Sequence, residues 1–369
     1  MIVLDSELMD YTPEQEQRAG HSTKLKDVRL EDFVNDDHCS DMTRFTRAQI
    51  LVILDFMELP ETVRVAYDYT VNPPKYYKFH REALFIYMLR RMVDDCTHKQ
   101  MASGFEFGGD DKRWATGYKW MVFTIEEKLG GLVSPQALKL WAPQFPFFAE
   151  RIRQHLLSRK ERKDHHGVVT VYQCTEEETG GPGEFNIFSF TDCTVYEISR
   201  PGSGPCRGYE RTINNERREN WYVKQRAFYD GYHRGMEACV KVLTIYLPNG
   251  MTAAMSGPTS GRKEDKNMFK LGEFDNYMMQ LCVDVHAGDL HCIYGDSIFA
   301  GYWHCLRTAH VSSPHVHVTQ AQKNVNDNMF SAREFIEHSC GRAQVLFPLI
   351  TSKPVSYTHL TLPTTNREV

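Results

Sequence analysis

Two aspartates and one glutamate stand where strand-like and helix-like sequence can bring carboxylates together. Asp192 follows the apolar run 185–191, Asp296 follows the run 290–294, and Glu337 lies in a helical pattern further on. Converging carboxylates raise one another's pKa unless a cation neutralises them, and their hard oxygen atoms suit Mg²⁺ or Mn²⁺. Two such ions about 3.5–4 Å apart can activate a water and stabilise the leaving 3′ oxygen of a phosphodiester. The three residues therefore predict a site for two divalent ions.

The elements that must position these residues alternate between strands and helices after Glu184. Asn249-Gly250 predicts a hairpin turn between two strands. The expected order is strands at 185–191, 238–247 and 251–255, helical sequence at 264–282, strands at 290–294 and 316–318, and a helix at 332–346. Ser331-x-x-Glu334 predicts a capping box at the start of that helix, so Glu337 rather than Glu334 is the expected ligand. This is the order of an α/β, RNase H-like domain, a mixed central sheet flanked by helices with its first and fourth strands side by side.

The N-terminal half is predicted to be all-α. Amphipathic helices at 80–94 and 112–129 fit a helix-turn-helix unit whose last helix enters a DNA groove, with Lys112, Arg113 and Lys119 at phosphate or base edges. A plain helical bundle fits the same pattern equally well. The expected organisation is a flexible acidic leader at 1–42, a helical region at 43–165, a linker at 166–184 and the α/β domain at 185–353.

A basic run follows the predicted helix Ser134–Leu157. Such a run can lie along a DNA backbone, because cationic side chains release the counterions of the phosphates. Solvated protein surface is the alternative reading. The residues concerned are Arg159, Lys160, Arg162 and Lys163.

An ordered set of short motifs between residues 185 and 350 resembles the Harbinger-type (PIF/Harbinger, IS5-like) DDE endonucleases and transposases. The motifs are Thr191-Asp192-Cys193-Thr194, residues 226–233 (RAFYDGYH), 241–250 (KVLTIYLPNG), 256–265 (SGPTSGRKED), Tyr294-Gly295-Asp296-Ser297 and 331–337 (SAREFIE). The N-terminal helices also look like the helix-turn-helix region that precedes the nuclease in this family.

The resemblance implies roles for individual residues. Asp192 and Asp296 match the two catalytic aspartates and Glu337 the final glutamate, while Asp265 matches an aspartate that supports the metal site from outside it. Arg333, one helical turn before Glu337, matches an arginine of the family pattern and is expected to orient that carboxylate or contact a DNA phosphate. A surface ion pair is the alternative reading for Arg333.

The same resemblance implies DNA as substrate and Mg²⁺ or Mn²⁺ as cofactor. A DNA substrate implies residence in the nucleus, with the cytoplasm as an additional location left open. The resemblance also leaves open the joining of DNA ends, a separate DNA-binding partner protein and a homo-oligomer. Departures from the family pattern occur at Cys193, Glu264, His338 and Cys340. They keep a second reading open, a catalytically inactive, domesticated transposase that binds DNA or protein.

Composition adds limits but no substrate. The net charge is −5, so binding to nucleic acid has to rely on local basic patches. Ten cysteines without a CxxC pair favour reduced thiols, and no apolar run approaches the ~20 residues of a membrane helix. Residues 354–369 (PVSYTHLTLPTTNREV) break the composition and are expected to be an adapter-derived artefact.

Overall fold

A computed structural model describes residues 28–94, 96–104, 110–163, 165–181, 183–197, 239–301, 303–312 and 317–350. The chain divides into two compact units, Met1–Phe123 and Thr124–Val369. The boundary therefore lies within the predicted helical region 43–165. Motif 226–233 and the predicted adapter segment 354–369 lie outside the described residues, as does most of the leader.

The first unit combines helices with a β-hairpin, so the prediction of an all-α region is wrong. Asn72-Pro73-Pro74 lies in the loop of an antiparallel hairpin, in which Val63 pairs with Phe79 and Val65 with Tyr77. Alternating β-branched and aromatic residues explain the strands, because Val63, Val65 and Phe79 turn one face inward. The elements are α1 (Asp36–Thr43), α2 (Arg47–Phe56), β1 (Thr62–Asp68), β2 (Lys75–His80), α3 (Arg81–Asp94), α4 (His98–Gly104) and α5 (Asp111–Leu129).

Trp114 of α5 is at the centre of the first unit's core. Its ring lies 5.3 Å from that of Phe79 and 4.7 Å from that of Tyr87, with which it stacks. The Tyr87 hydroxyl is 2.8 Å from Nδ1 of His98, which fixes α4 against α3. Helices α3 and α5 match the predicted amphipathic runs; a helix-turn-helix role for them stays a prediction.

The second unit begins with a broken helical stretch where one helix, Ser134–Leu157, was predicted. Pro135, Pro143 and Pro146 lack an N–H and interrupt the helical hydrogen-bond pattern, so each lies at the start of a short turn or helix. The segments are 3₁₀ turns at Gly130–Val133, Pro135–Ala137 and Ala142–Gln144, α6 (Leu138–Trp141) and α7 (Phe145–Leu157). The hairpin β3 (Lys160–Lys163) and β4 (Val169–Tyr172) and the short α8 (Glu176–Thr179) follow.

A five-stranded mixed sheet forms the centre of the second unit. Its spatial order is β7-β6-β5-β8-β9, with the first three strands antiparallel and β5, β8 and β9 mutually parallel. The first and fourth strands in chain order, β5 and β8, are therefore neighbours, as the sequence predicts. Gly250 has φ +81°, which the Asn-Gly turn between β6 and β7 requires. The strands are β5 (Ile187–Glu197), β6 (Cys239–Tyr246), β7 (Thr252–Ser260), β8 (Cys292–Tyr294) and β9 (Leu306–Arg307).

Helices pack on both faces of this sheet. On one face, α9 (Asp265–Leu271) and α10 (Phe274–His286) bury Met268, Phe269 and Met278 in a core that also holds Phe188 and Leu243. On the other face, α7 and α11 (Gln320–Leu346) cover a second core. This second core contains Ile152, Leu156, Phe190, Tyr294, Met329 and Ala332.

Helix α11 begins twelve residues before its predicted start. Its N-terminal cap is Thr319, whose hydroxyl accepts a hydrogen bond from the Gln322 N–H while Gln322 Oε1 accepts one from the Thr319 N–H. The predicted capping box at Ser331 and Glu334 is therefore wrong, because both residues lie inside the helix. Residues 317 and 318, predicted to belong to a strand, are irregular, and the fifth strand of the sheet is β9 instead.

Candidate metal centre

Asp192, within β5, and Asp296, just past the end of β8, occupy corresponding positions relative to two adjacent parallel strands. Phe190 of β5 pairs with Tyr294 of β8, and each aspartate lies two residues beyond its member of this pair. The prediction that a strand ends at Asp192 is wrong. Asp192 lies within β5, where it pairs with Thr244 of β6. Because side chains alternate along a strand, Asp192 faces the same side as Phe190, the side covered by α11.

The carboxylate of Asp192 lies in an environment that disfavours its charge. Burial raises its pKa above the ordinary value, and the charges of Asp265 and Asp296 raise it further. Two groups oppose this shift: the Cys193 N–H, which donates a 2.8 Å hydrogen bond to Asp192 Oδ1, and the guanidinium of Arg333. The net rise in pKa means that a nearby cation would stabilise the ionised carboxylate of Asp192.

Asp296 has one oxygen fixed by the turn that follows it and one facing Arg333. Its Oδ1 accepts hydrogen bonds from the Ser297 N–H at 2.5 Å and the Ser297 hydroxyl at 3.2 Å, which caps a 3₁₀ turn. Its Oδ2 lies 3.4 Å from Arg333 Nη1. A cavity of about 180 Å³ opens beside this carboxylate, lined also by Asp327 and Phe330 of α11.

Arg333 is buried and forms its ion pair with a half-exposed carboxylate, while its expected contact with Glu337 or a DNA phosphate stays a prediction. Its side chain is 10% exposed, and its guanidinium carbon lies 6.0 Å from the centre of the Phe330 ring. Asp296 is one of its partners. Glu337 lies four residues further along α11, but its side chain is outside the described residues.

Asp265 forms an ion pair that sequence reasoning missed. Lys241 Nζ lies 3.2 Å from Asp265 Oδ1, and the two side chains are 15% and 16% exposed. The signal was a single charged residue inside the otherwise apolar and threonine-containing strand β6. Asp265 also raises the pKa of the Cys193 thiol, although burial is the larger cause.

Cys193, which departs from the family pattern, lies on the opposite sheet face from Asp192. Its sulfur is 3.8 Å from that of Met268, and it packs against the core under α9. The substitution therefore adds no side chain to the face on which Asp192 and Arg333 meet.

Comparison with known families agrees with this geometry. Residues 191–365 match the family model described as DDE superfamily endonuclease. This segment is a DDE superfamily endonuclease domain. The match contains Asp192, Asp265, Asp296 and Glu337 and runs into the predicted adapter segment, whose origin stays a prediction. No curated protein and no solved structure matched the chain.

Two of the three predicted DNA contacts on α5 are exposed and one is not. Lys112 and Lys119 are exposed and lie seven residues apart, on one side of the helix. Arg113 is buried: its Nη2 donates a 2.6 Å hydrogen bond to the Lys78 carbonyl, and its guanidinium lies 4.5 Å from the centre of the Phe79 ring. Arg113 therefore holds β2 to α5, at odds with the predicted DNA contact.

Most of the basic run lies in β3, which pairs with β4. Arg159 directly precedes this strand, and its Nη2 lies 2.8 Å from Glu161 Oε1. Lys160 is half-buried, which lowers the pKa of its ammonium group, whereas Lys163 is exposed. The side chain of Arg162 is outside the described residues. Arg159 and Lys163 are thus the accessible cations of this run among those described.

Two features are absent from the part of the chain that the structure describes. Among the side chains that the structure describes, no group of three or more His, Cys, Asp or Glu residues is arranged to hold a metal ion. Glu337, the predicted third ligand of the endonuclease domain, is not among those side chains. Within the described ranges, no helix has the length and apolar character needed to cross a membrane.

Proposed function

We propose that this protein is a divalent-metal-dependent DNA endonuclease or transposase with an RNase H-like catalytic domain. The observation that carries the proposal is the placement of Asp192 and Asp296 two residues beyond the paired residues Phe190 and Tyr294. The family match over residues 191–365 and the sheet order β7-β6-β5-β8-β9 support it.

The residues present fit a divalent ion. Carboxylate oxygens are the ligands that Mg²⁺ and Mn²⁺ prefer, and burial together with neighbouring carboxylates raises the pKa of Asp192. Asp192, Asp296 and Glu337 would hold the metal. When bound, two ions would activate a water and stabilise the leaving 3′ oxygen of the phosphodiester.

The protein's own residues supply position and charge. The pairing of β5 with β6 fixes the backbone at Asp192, and the pairing of β5 with β8 fixes it up to Phe190. The Ser297 N–H orients Asp296 through Oδ1, so Oδ2 is left facing the cavity and Arg333. The Arg333 guanidinium, a planar donor suited to phosphate oxygens, lies where a DNA backbone entering this cavity would pass.

Nicking of supercoiled plasmid DNA by the full chain tests the proposal. With Mg²⁺ or Mn²⁺ we expect conversion to open circles, lost on chelation and lost in Asp192→Asn and Asp296→Asn. Asp284→Asn, which removes the same charge from an exposed position of α10, is the matched control and should nick normally. Absence of nicking by the native chain, or equal nicking by Asp296→Asn, would refute the enzymatic proposal.

A catalytically inactive DNA- or protein-binding module is the alternative function. It rests on the departures at Cys193, Glu264 and His338. The packing of Cys193 against Met268 argues against one of these departures as a cause of inactivity. Calorimetric titration with Mn²⁺ separates the two readings, because metal binding that is lost in Asp192→Asn counts against a module without a metal site.

The proposed substrate also bears on location and assembly. Cleavage of chromosomal DNA would require residence in the nucleus. Joining of DNA ends would require two ends held together, which favours a homo-oligomer or a separate DNA-binding partner protein. Size measurement of the full chain with and without a DNA end fragment tests the first of these assemblies.

A further inference from the structure

A cavity of about 470 Å³ lies beside the carboxylates, on the same face of the sheet. It opens between α7 and α11, over the ring of Phe190 and next to the turn at Pro248 and Asn249. All of its lining residues belong to the second unit. Its size is in the range of pockets that enclose small planar ligands.

One wall of this cavity is a row of side chains on α7. Phe147, Arg151 and His155 are spaced four residues apart and so follow one another along the helix surface. The neighbouring row, which includes Phe148, Ile152 and Leu156, is buried and supplies the packing of α7. Phe147 itself is 55% exposed, and the guanidinium of Arg151 lies 5.1 Å from the centre of its ring.

The row combines an aromatic face at Phe147, a cation at Arg151 and a second ring at His155. This combination is typical of sites where nucleobases stack. Base stacking on aromatic side chains tolerates any sequence, because every base has a π-face, and arginine adds a cation–π contact. The rings of Phe148 and Phe147 lie 5.6 Å apart, edge to face, and Phe147 is still 55% exposed, so much of its ring is accessible to a ligand. An apolar peptide would not need the exposed Arg151.

Two elements connect the lining of this cavity to the proposed cleavage site. Phe190 lines the cavity, and Asp192 lies two residues further along β5, about 7 Å away for an extended strand. On α11, Ala332 lines this cavity while Arg333 lines the smaller one beside Asp296. The cavity is therefore a neighbour of the site at which a DNA phosphate would meet the carboxylates.

We propose that this cavity binds one unpaired nucleobase of the DNA strand at the cleavage site, stacked on Phe147 and flanked by Arg151. The inference rests on the proposed endonuclease function, since the carboxylates define where the strand passes. It adds a substrate feature, a base displaced from its duplex partner or already single-stranded next to the scissile phosphate.

Combining substitution of the side chain with removal of the bases from the DNA strand tests the proposal. Binding is measured in the absence of divalent ions, so cleavage is not needed. The full chain is titrated with a short fluorescent oligothymidylate and with an abasic strand of the same length and charge. We expect Phe147→Ala to weaken binding of the oligothymidylate roughly 5- to 100-fold and to leave binding of the abasic strand unchanged. Phe147→Trp should bind the oligothymidylate as the native chain does. Phe56→Ala removes a phenylalanine of similar exposure, 58%, from the first unit and is the matched control.

Three results would overturn the proposal. They are equal affinity of the native chain for both strands, equal weakening of both strands by Phe147→Ala, and self-association that Phe147→Ala abolishes, which would make the cavity a contact between copies. Phe147→Leu provides a second variant if Phe147→Ala does not fold, with the same selective loss expected, because it removes the π-face and leaves the charge unchanged. Because binding is measured without metal, a failure of plasmid nicking and a failure of this binding test are separate outcomes.

Discussion

Arg333 Nη1 lies 3.4 Å from Asp296 Oδ2, although the arginine side chain is 10% exposed and the aspartate 48%. The buried partner thus has a fixed position, and the solvent-facing carboxylate is held toward it. An exposed carboxylate weakens the Coulomb attraction, so the pair contributes little to stability. Its significance lies in the orientation of Asp296.

Replacement of Arg333 should therefore impair the site more than the fold. We expect Arg333→Met to lower Mn²⁺ affinity or nicking roughly 10- to 100-fold, as is typical when a group that orients a ligand is removed. Arg333→Lys keeps the charge but not the planar donor and should recover only part of the lost Mn²⁺ affinity or nicking. Arg342→Met, at an exposed position of the same helix, should change neither quantity. Calorimetry and plasmid nicking measure the two effects.

The third carboxylate can be identified by comparing two glutamates of α11. The wrong capping box was the reason to prefer Glu337 over Glu334, and Glu334 now lies inside the helix. The preference rests instead on Glu337 following Arg333 by four residues, which places both positions on one side of a helix. We expect Glu337→Gln to abolish nicking as completely as Asp192→Asn, and Glu334→Gln to leave it intact. The reverse result would assign the ligand to Glu334.

Asp192→Asn should stabilise the metal-free protein at neutral pH. The pKa of Asp192 is raised in the folded state, so the fold favours the protonated carboxyl group, and ionisation costs stability as pH rises from the ordinary value of 3.8 past the raised one. Asparagine resembles the protonated form and avoids this cost. We expect a higher Tm for the variant at pH 7 in chelator, and a difference that vanishes below about pH 4. A lower Tm for the variant at pH 7 would contradict the burial of this charge.

The pair Lys241–Asp265 should couple strongly for an ion pair near a protein surface. Both side chains are largely buried, so removing one partner leaves a charge in a poorly solvated place. We expect Lys241→Met to cost ~1–3 kcal/mol in urea unfolding, and Lys241→Met/Asp265→Asn to recover part of it. Lys266–Glu264 has the same 3.2 Å separation but exposed side chains. Lys266→Met should cost less than ~0.5 kcal/mol.

The two exposed lysines of α5 and the buried Arg113 should respond differently to alanine. If Lys112 and Lys119 neutralise DNA phosphates, their joint replacement should reduce the slope of log affinity against log salt by about 2, close to 0.9 for each. Arg113→Ala should instead lower the thermal stability of the first unit, because Arg113 bonds the Lys78 carbonyl. An unchanged salt slope in the lysine double variant would remove α5 from the DNA interface.

Short-range patterns predicted much of the fold of the second unit. The Asn249-Gly250 turn, strand β6 and the neighbouring placement of β5 and β8 follow from turn chemistry and from the order of the elements. The pair Asp192 and Asp296 was predictable for the same reason. The apolar run 185–191 predicts a strand that ends at Asp192, whereas pairing with β6 extends the strand to Glu197.

Features that depend on contacts distant in sequence were missed. Arg113 has the local signature of a DNA contact, but the β2 carbonyl that it bonds comes 35 residues earlier. The start of α11 was misplaced because Ser331-x-x-Glu334 has the same form as the true cap at Thr319 and Gln322. The ion pair of Lys241 with Asp265 joins a strand to a helix start 24 residues away.

The parallel pairing of β5 with β8 sets the earliest time at which Asp192 and Asp296 can meet during synthesis. Phe190 and Tyr294 are separated by about 100 residues, and all of the intervening sequence must be synthesised before they can meet. At roughly 5–20 residues per second, Asp192 waits for its partner for ~5–20 s after it is made. A partly made chain thus carries one carboxylate without the other. The two aspartates therefore come together only after the sheet has formed.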